Sequence, residues 1–222
     1  MKSIADSVYS TGARAIFVSI VMSLVACAPL QPQPRAVVYD FGPGAVAEVA
    51  ANRMAPLPPL VLADVESSAA LDSTAVLYRL AYSDAQQLRP YAQARWSMAP
   101  AQLVRQRLRE QLGQRRAVLQ AAQGLATTKP ALTLRLELDE FSHWFETAER
   151  SSGLVRLRAT LAQPDGGVER LVAQRSFVVQ RAASSADAAG GVRALTAATD
   201  ALILEIEQWL GQVEGTQSHK VP

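Results

Sequence analysis

The sequence predicts an α+β fold: an antiparallel sheet of about six strands packed against two main amphipathic helices, behind an N-terminal signal and a proline-rich tether. Three observations carry that prediction. Residues 132–139 place leucine at every even position and a polar side chain at every odd one, which is the pattern of a half-buried strand. Val104, Leu108 and Leu112, and again Val192, Leu195, Thr199, Leu202, Ile203, Ile206, Trp209 and Leu210, recur at the helical period. Pro164-Asp165-Gly166-Gly167 is a turn signal of the kind that joins antiparallel strands.

At the N-terminus, Lys2 and Arg14 outweigh Asp6 and precede an apolar run over 15–24. That run is too short to span ~30 Å of hydrocarbon and has the form of an export signal. It ends in Leu24-Val25-Ala26-Cys27, which resembles the bacterial lipobox: Leu24, Val25 and Ala26 fit the lipoprotein signal peptidase, and the Cys27 thiol takes a diacylglyceryl group. Cys27 is the only cysteine, so an intramolecular disulfide is impossible. The expected division is a signal peptide over 1–26, a lipidated tether over 27–35, an α+β domain over 36–211 and a polar tail over 212–222. Two or more acyl chains, at ~0.8 kcal/mol per buried methylene, would fix the mature chain to a bilayer almost permanently. Ala28, where an inner-membrane lipoprotein often carries aspartate, favours the outer membrane and its periplasmic face. Pro29, Pro32 and Pro34 favour an extended tether of ~3.1 Å per residue, long enough to stand the domain some 20 Å off the surface.

Cleavage before Cys27 removes Lys2, Arg14 and Asp6 and leaves a net charge near +1. Such a balance argues against nucleic acid as a partner. The remaining length suits one domain with a substantial core.

The elements follow in order. Residues 36–42 read as a first strand, stopped by Gly42-Pro43-Gly44, and 45–59 as a loop or a short irregular helix interrupted by Pro56, Pro58 and Pro59. Strands are expected over 60–65 and 75–82, the latter with Val76, Tyr78, Leu80 and Tyr82 on one face, and 91–96 is its hairpin partner. The first helix begins at Pro100, with Met98 placed to staple against Leu103, and ends near Gly113; 117–119 is a short strand. After Leu138 the buried parity passes to Phe141, His143 and Phe145, which calls for a bulge near Glu140. Residues 154–161 should be the antiparallel partner, with Val155, Leu157, Ala159 and Leu161 inward, and 169–180 the third strand of a meander. A small-residue linker over 182–191 leads to the last helix, with Gly211 as its C-terminal cap.

Catalytic chemistry leaves little trace. The only histidines are His143, on a strand and best read as structural, and His219 in the tail. No metal site of ordinary spacing, phosphate loop or nucleophile–base pair stands out, so no catalytic residue, metal or cofactor is expected beyond the lipid on Cys27. Glu137, Asp139 and Glu140 could form a carboxylate pair, but Glu137 and Asp139 point outward and are read as a solvated face. Arg105, Arg107, Arg109, Arg115 and Arg116 are read as a solvated basic one, with anionic lipid headgroups as the second reading.

The order of these pieces resembles one known family. A lipobox is followed by Tyr39-Asp40-Phe41-Gly42, Leu77-Tyr78-Arg79, the run from Leu88 through Pro90, Tyr91 and Trp96, and the helix from Pro100 to Leu108. Ala173-Gln174-Arg175-Ser176-Phe177 and a helix from Leu202 to Trp209 complete the order. This resembles the ABC-type transport auxiliary lipoprotein family, over nearly all of the chain from residue 36 to 210. The resemblance implies a non-enzymatic envelope component that works with an ABC permease and ATPase and an MCE-domain protein to move lipid or other hydrophobic molecules between membranes. It leaves a homo-oligomer open. Two alternatives stand beside it: a lipoprotein that carries lipid in its own cavity, and a structural lipoprotein of an envelope assembly or secretion machine. A carrier predicts a sizeable apolar pocket, whereas an adaptor predicts a filled core and an exposed apolar patch.

Overall fold

In the computed structural model, which describes residues 35–44, 57–120 and 131–218, the alternating leucines lie in the central strand of the sheet. Arg35 apart, these residues belong to the second of two compact units, Ala36–Pro222. The signal peptide, the lipobox with Cys27, most of the tether, the loop over 45–56 and His219 lie outside the described residues. Eight strands are seen among those described: β1 (Val37–Tyr39), β2 (Leu57–Ser67), β3 (Ala75–Leu80), β4 (Ala85–Trp96), β5 (Arg116–Gln120), β6 (Leu132–Phe145), β7 (Ser151–Asp165) and β8 (Val168–Ala182). Three helices accompany them: a single turn α1 (Ala81–Asp84), α2 (Pro100–Gly113) and α3 (Ala188–Ser218).

The sheet branches at β6. Along one edge β6 pairs antiparallel with β7 from Thr133↔Ala162 to Phe145↔Ser151, and β7 pairs antiparallel with β8. The other edge is shared, with β2 parallel to Leu132–Leu138 and β3 parallel to His143–Phe145. Beyond β2 lies β5, and beyond β3 lie β4 and then β1. The sheet is therefore mixed and has more strands than the expected six, because β1–β4, β2–β5, β2–β6 and β3–β6 are all parallel pairs. Alternation reports which face of a strand is buried; it does not report the direction or identity of the neighbour.

The β6–β7–β8 meander forms as predicted. The register of β6 against β7 shifts between Leu138 and Glu140, and this bulge passes burial from Leu134, Leu136 and Leu138 to Phe141, His143 and Phe145. Val155, Leu157, Ala159 and Leu161 all face the core. β7 and β8 are joined through Gly166 and Gly167, whose φ angles of 59° and 93° suit the two-residue hairpin turn that only glycine adopts freely.

Several boundaries move. Leu57, Pro58 and Pro59, expected in a loop, begin β2. Residues 81–84 form the turn α1 instead of extending β3, and Tyr82 there is exposed and not on the buried face. The linker shrinks to 183–187, since Ala182 ends β8 and Ala188–Gly191 is the first turn of α3. Gly211 does not cap α3, which continues to Ser218. Beyond Gly211, Val213 packs on the core and Glu214 pairs with Arg116, and these contacts offset the ~1 kcal/mol that glycine costs inside a helix.

Helix α3 lies over β7, β8 and β6, α2 over β2 and β5, and the two helices touch. Leu195, Ala198, Leu202, Ile203, Ile206 and Leu210 of α3 and Val104, Leu108 and Leu112 of α2 are buried with the sheet leucines in one core. Gly153 on β7 lets α3 approach closely: a Cβ there would stand 2.4 Å from the backbone of Ala194 and Leu195.

Candidate functional site

The two sites worth weighing are a surface groove and a buried polar cluster. The groove, about 800 Å³ and open to solvent, runs between the end of β2 and the start of α2. Asp64, Glu66 and Asp72 line it opposite Arg105 and Arg109, with Met98 and Ala101 between, and Arg105 Nε stands 3.2 Å from an Asp64 oxygen. Its charged walls do not match the apolar pocket that a lipid carrier requires. Between sheet and helices, Leu134, Val155, Leu157, Leu195 and Leu202 fill the space in which such a pocket would lie.

The buried cluster centres on His143, which has no exposed surface. The Tyr91 hydroxyl and His143 Nδ1 share a hydrogen bond of 2.8 Å, and Tyr91 in turn packs on Tyr78, with ring centres 4.6 Å apart. On the other side stands the first turn of α3, where a Cβ on Gly191 would come within 2.4 Å of Nδ1. Asp187 caps that turn: its Oδ1 accepts hydrogen bonds from Gly190 N–H at 2.7 Å and from the Ser185 hydroxyl at 2.8 Å. Burial pushes the His143 pKa down to about 4, against the opposing pull of the Asp187 carboxylate. Burial, with the nearby Tyr78 and Asp187, raises that of Tyr91. The Asp187 carboxyl is held below its usual range by its bonds to Gly190 and Ser185. His143 thus lies buried among Tyr91, Phe145 and the first turn of α3. Gly190 and Gly191, expected as linker, are there because the helix start must close on Ser185 and His143.

The arginine run is not a solvated face. Arg107 is buried, donates to the carbonyl oxygens of Phe41 and Gly42, and lies 3.2 Å from Asp200 of α3. Burial raises the Asp200 pKa while Arg107 opposes the rise. Arg116 is buried and binds Glu214 through both oxygens, at 2.6 and 2.9 Å, which ties β5 to the end of α3. Among the five, Arg109 and Arg115 alone are exposed. Of the acids, Glu137 and Asp139 face Arg158, at 3.1 and 4.0 Å, and Glu140 is half-buried in a two-pronged pair with Arg79.

Cys27 and the preceding Leu24, Val25 and Ala26 lie outside the described residues, so the structure brings nothing to the lipidation position. Among the described residues no helix is long and apolar enough to cross a membrane, and no group of acids and histidines could hold a metal ion.

The model of the ABC-type transport auxiliary lipoprotein component family matches residues 39–207. The chain belongs to this family. No curated protein matches it. Among solved structures, this auxiliary lipoprotein is similar to a DUF330 protein of Xanthomonas campestris, with 18% identity and a TM-score of 0.63 over 74% of this chain and 91% of that one. An uncharacterized protein matches at 16% identity and a TM-score of 0.54, over 79% and 99%. A hypothetical protein of Chlamydia trachomatis follows at 11% and 0.47, over 71% and 96%. At these identities the first two likenesses speak for the fold alone. The family match, from the last residue of β1 well into α3, spans β2 to β8 and places the chain among transport auxiliary lipoproteins.

Proposed function

We propose that this auxiliary lipoprotein is a non-catalytic adaptor, anchored by acyl chains on Cys27 to the periplasmic face of the outer membrane. There it docks on an MCE-domain protein served by an ABC permease and ATPase, in a system that moves lipid or other hydrophobic molecules across the envelope. The family match over residues 39–207 is the observation that carries the reading. Two features support it. The sequence Leu24-Val25-Ala26-Cys27 has the form that lipoprotein signal peptidase cuts, with a proline-bearing stretch between it and β1. The core between sheet and helices is filled, as a docking module requires and a carrier does not.

Tethering raises the local concentration of domain and partner at one membrane, so a weak docking contact suffices. Mild crosslinking in the native host, followed by purification of the lipidated protein and mass spectrometry, tests the proposal. Recovery of an MCE-domain protein supports it. Repeated recovery of the lipoprotein alone, or co-purification of a stoichiometric lipid with no protein partner, contradicts it.

A further inference from the structure

Among the described residues seven large apolar side chains are exposed, and five of them sit on two edge strands of the sheet: Val37 and Val38 on β1, and Val168, Leu171 and Val178 on β8. Strand β8 is the longer edge, with 15 residues. It pairs with β7 from Ser152↔Ala182 to Asp165↔Val168, and no described strand lies on its other side. An edge of this length presents a row of main-chain donors and acceptors ready to accept another strand.

Its charges select the strand. β8 carries Arg170, Arg175 and Arg181 against one acid, Glu169, and Glu169 is already paired with Arg135 at 2.7 Å. Arg170 approaches Asp165 at 4.0 Å. Neither of the other two has a carboxylate partner among the described residues. The Arg175 guanidinium stacks on Phe177 at 4.9 Å, and Arg181 donates to the carbonyl of Gln180. From Ala173 to Ala182 the register against β7 is unbroken. Side chains therefore alternate, and Arg175 and Arg181 share the face of Phe177 and Val179, while Val178 points to the opposite face, midway between the two arginines.

We propose that the free edge of β8 accepts an extended acidic segment of a partner protein as an added strand. The pattern it fits is specific: two carboxylates six residues apart over Arg175 and Arg181, with an apolar residue midway on the other face over Val178. A second copy of this chain fits poorly in the register that matches Val178. The antiparallel register that would cover Val178 with its own counterpart sets Arg175 opposite Arg181, and like charges directly opposed repel. The same arginines thus oppose self-pairing in that register and admit an acidic strand. The inference goes beyond the adaptor reading and stands whatever the docking partner is.

The test titrates two fluorescein-labelled peptides, TETTVTTET and TKTTVTTKT, with the purified full chain by fluorescence anisotropy, and follows amide hydrogen exchange in the complex. The acidic peptide should bind about tenfold or more tightly than the lysine peptide, with slowed exchange confined to β8. The double substitution Arg175→Glu and Arg181→Glu, on exposed positions and checked for folding by circular dichroism, should reverse the preference. Were that variant to unfold, the comparison of the two peptides on the unaltered chain would still decide. Equal binding of both peptides, no binding, protection away from β8, or a dimer in light scattering that charge reversal abolishes would each overturn the proposal.

Discussion

Acidification should loosen the domain through one buried side chain. His143 is enclosed by Tyr91, Phe145 and the first turn of α3, and desolvation holds its pKa at about 4 against an ordinary 6.5. A histidine lowered in this way binds its proton more readily in the unfolded chain. Its contribution to stability is complete above pH 6.5 and is lost as pH falls towards 4. At 1.36 kcal/mol per pH unit, the full gap corresponds to roughly 3 kcal/mol, of which about 2.5 kcal/mol is lost between pH 7.5 and 4.5. Urea unfolding followed by the fluorescence of Trp96, Trp144 and Trp209 at steps across that range measures the loss. The control is His143→Gln, which keeps a polar group towards Tyr91 and does not titrate. The lowered Asp187 also loses its contribution on acidification, while Asp200 and Glu207 of α3, whose carboxyls burial pushes up, act in the opposite sense. Both chains contain these three carboxyls, so they largely cancel in the comparison. The stability advantage of the unaltered chain over His143→Gln should shrink by about 2.5 kcal/mol between pH 7.5 and 4.5. Parallel pH profiles for the two chains would refute the argument.

Two further predictions concern how α3 is held. Gly153→Ala places a methyl 2.4 Å from the α3 backbone at Ala194 and Leu195, which cannot move aside as a side chain can. The loss should reach about 3 kcal/mol, the upper end of ordinary overpacking, measured by denaturant unfolding; a cost under about 0.5 kcal/mol would contradict the close approach. Removing one partner of the buried Arg116–Glu214 pair strands the other, so Arg116→Met alone should cost about 3–5 kcal/mol. Adding Glu214→Leu should recover part of that cost, and a double-mutant cycle with no coupling between the two sites would show that the pair does not join β5 to α3.

Much of the fold was legible because burial is written in periods. Leu132–Leu138, the parity change at Glu140 and the alternation Val155, Leu157, Ala159, Leu161 announced the β6–β7 pair, and Gly166-Gly167 announced the turn to β8. What was not legible depends on contacts between distant segments. Nothing in the local pattern of 57–67 and 75–80 shows that both strands lie in succession along one edge of β6, or that they run parallel to it. Gly190, Gly191 and Gly211 illustrate the same limit. A glycine in isolation signals a linker or a cap, but the first two admit the approach of Ser185 and His143, and the third sits in a helix sustained by Val213 and Glu214. The arginines of α2 and β5 looked like a surface because charge in sequence normally means solvent, and only the partners Asp200 and Glu214, about a hundred residues away, explain why Arg107 and Arg116 are inside. Asp187 was the one missed residue with a readable signal, a capping aspartate just before the alanines that open α3.

The placement of the molecule in the envelope depends on the chemistry of its one cysteine, and a single mass spectrum addresses that directly. The protein extracted with detergent from membranes of its native host should begin at Cys27, with a thioether-linked diacylglycerol on the sulfur and an acyl group on the freed amine, and Cys27→Ser should leave the uncut chain from Met1. A native N-terminal peptide that still carries Met1, or a Cys27 recovered as an unmodified thiol, would contradict the account.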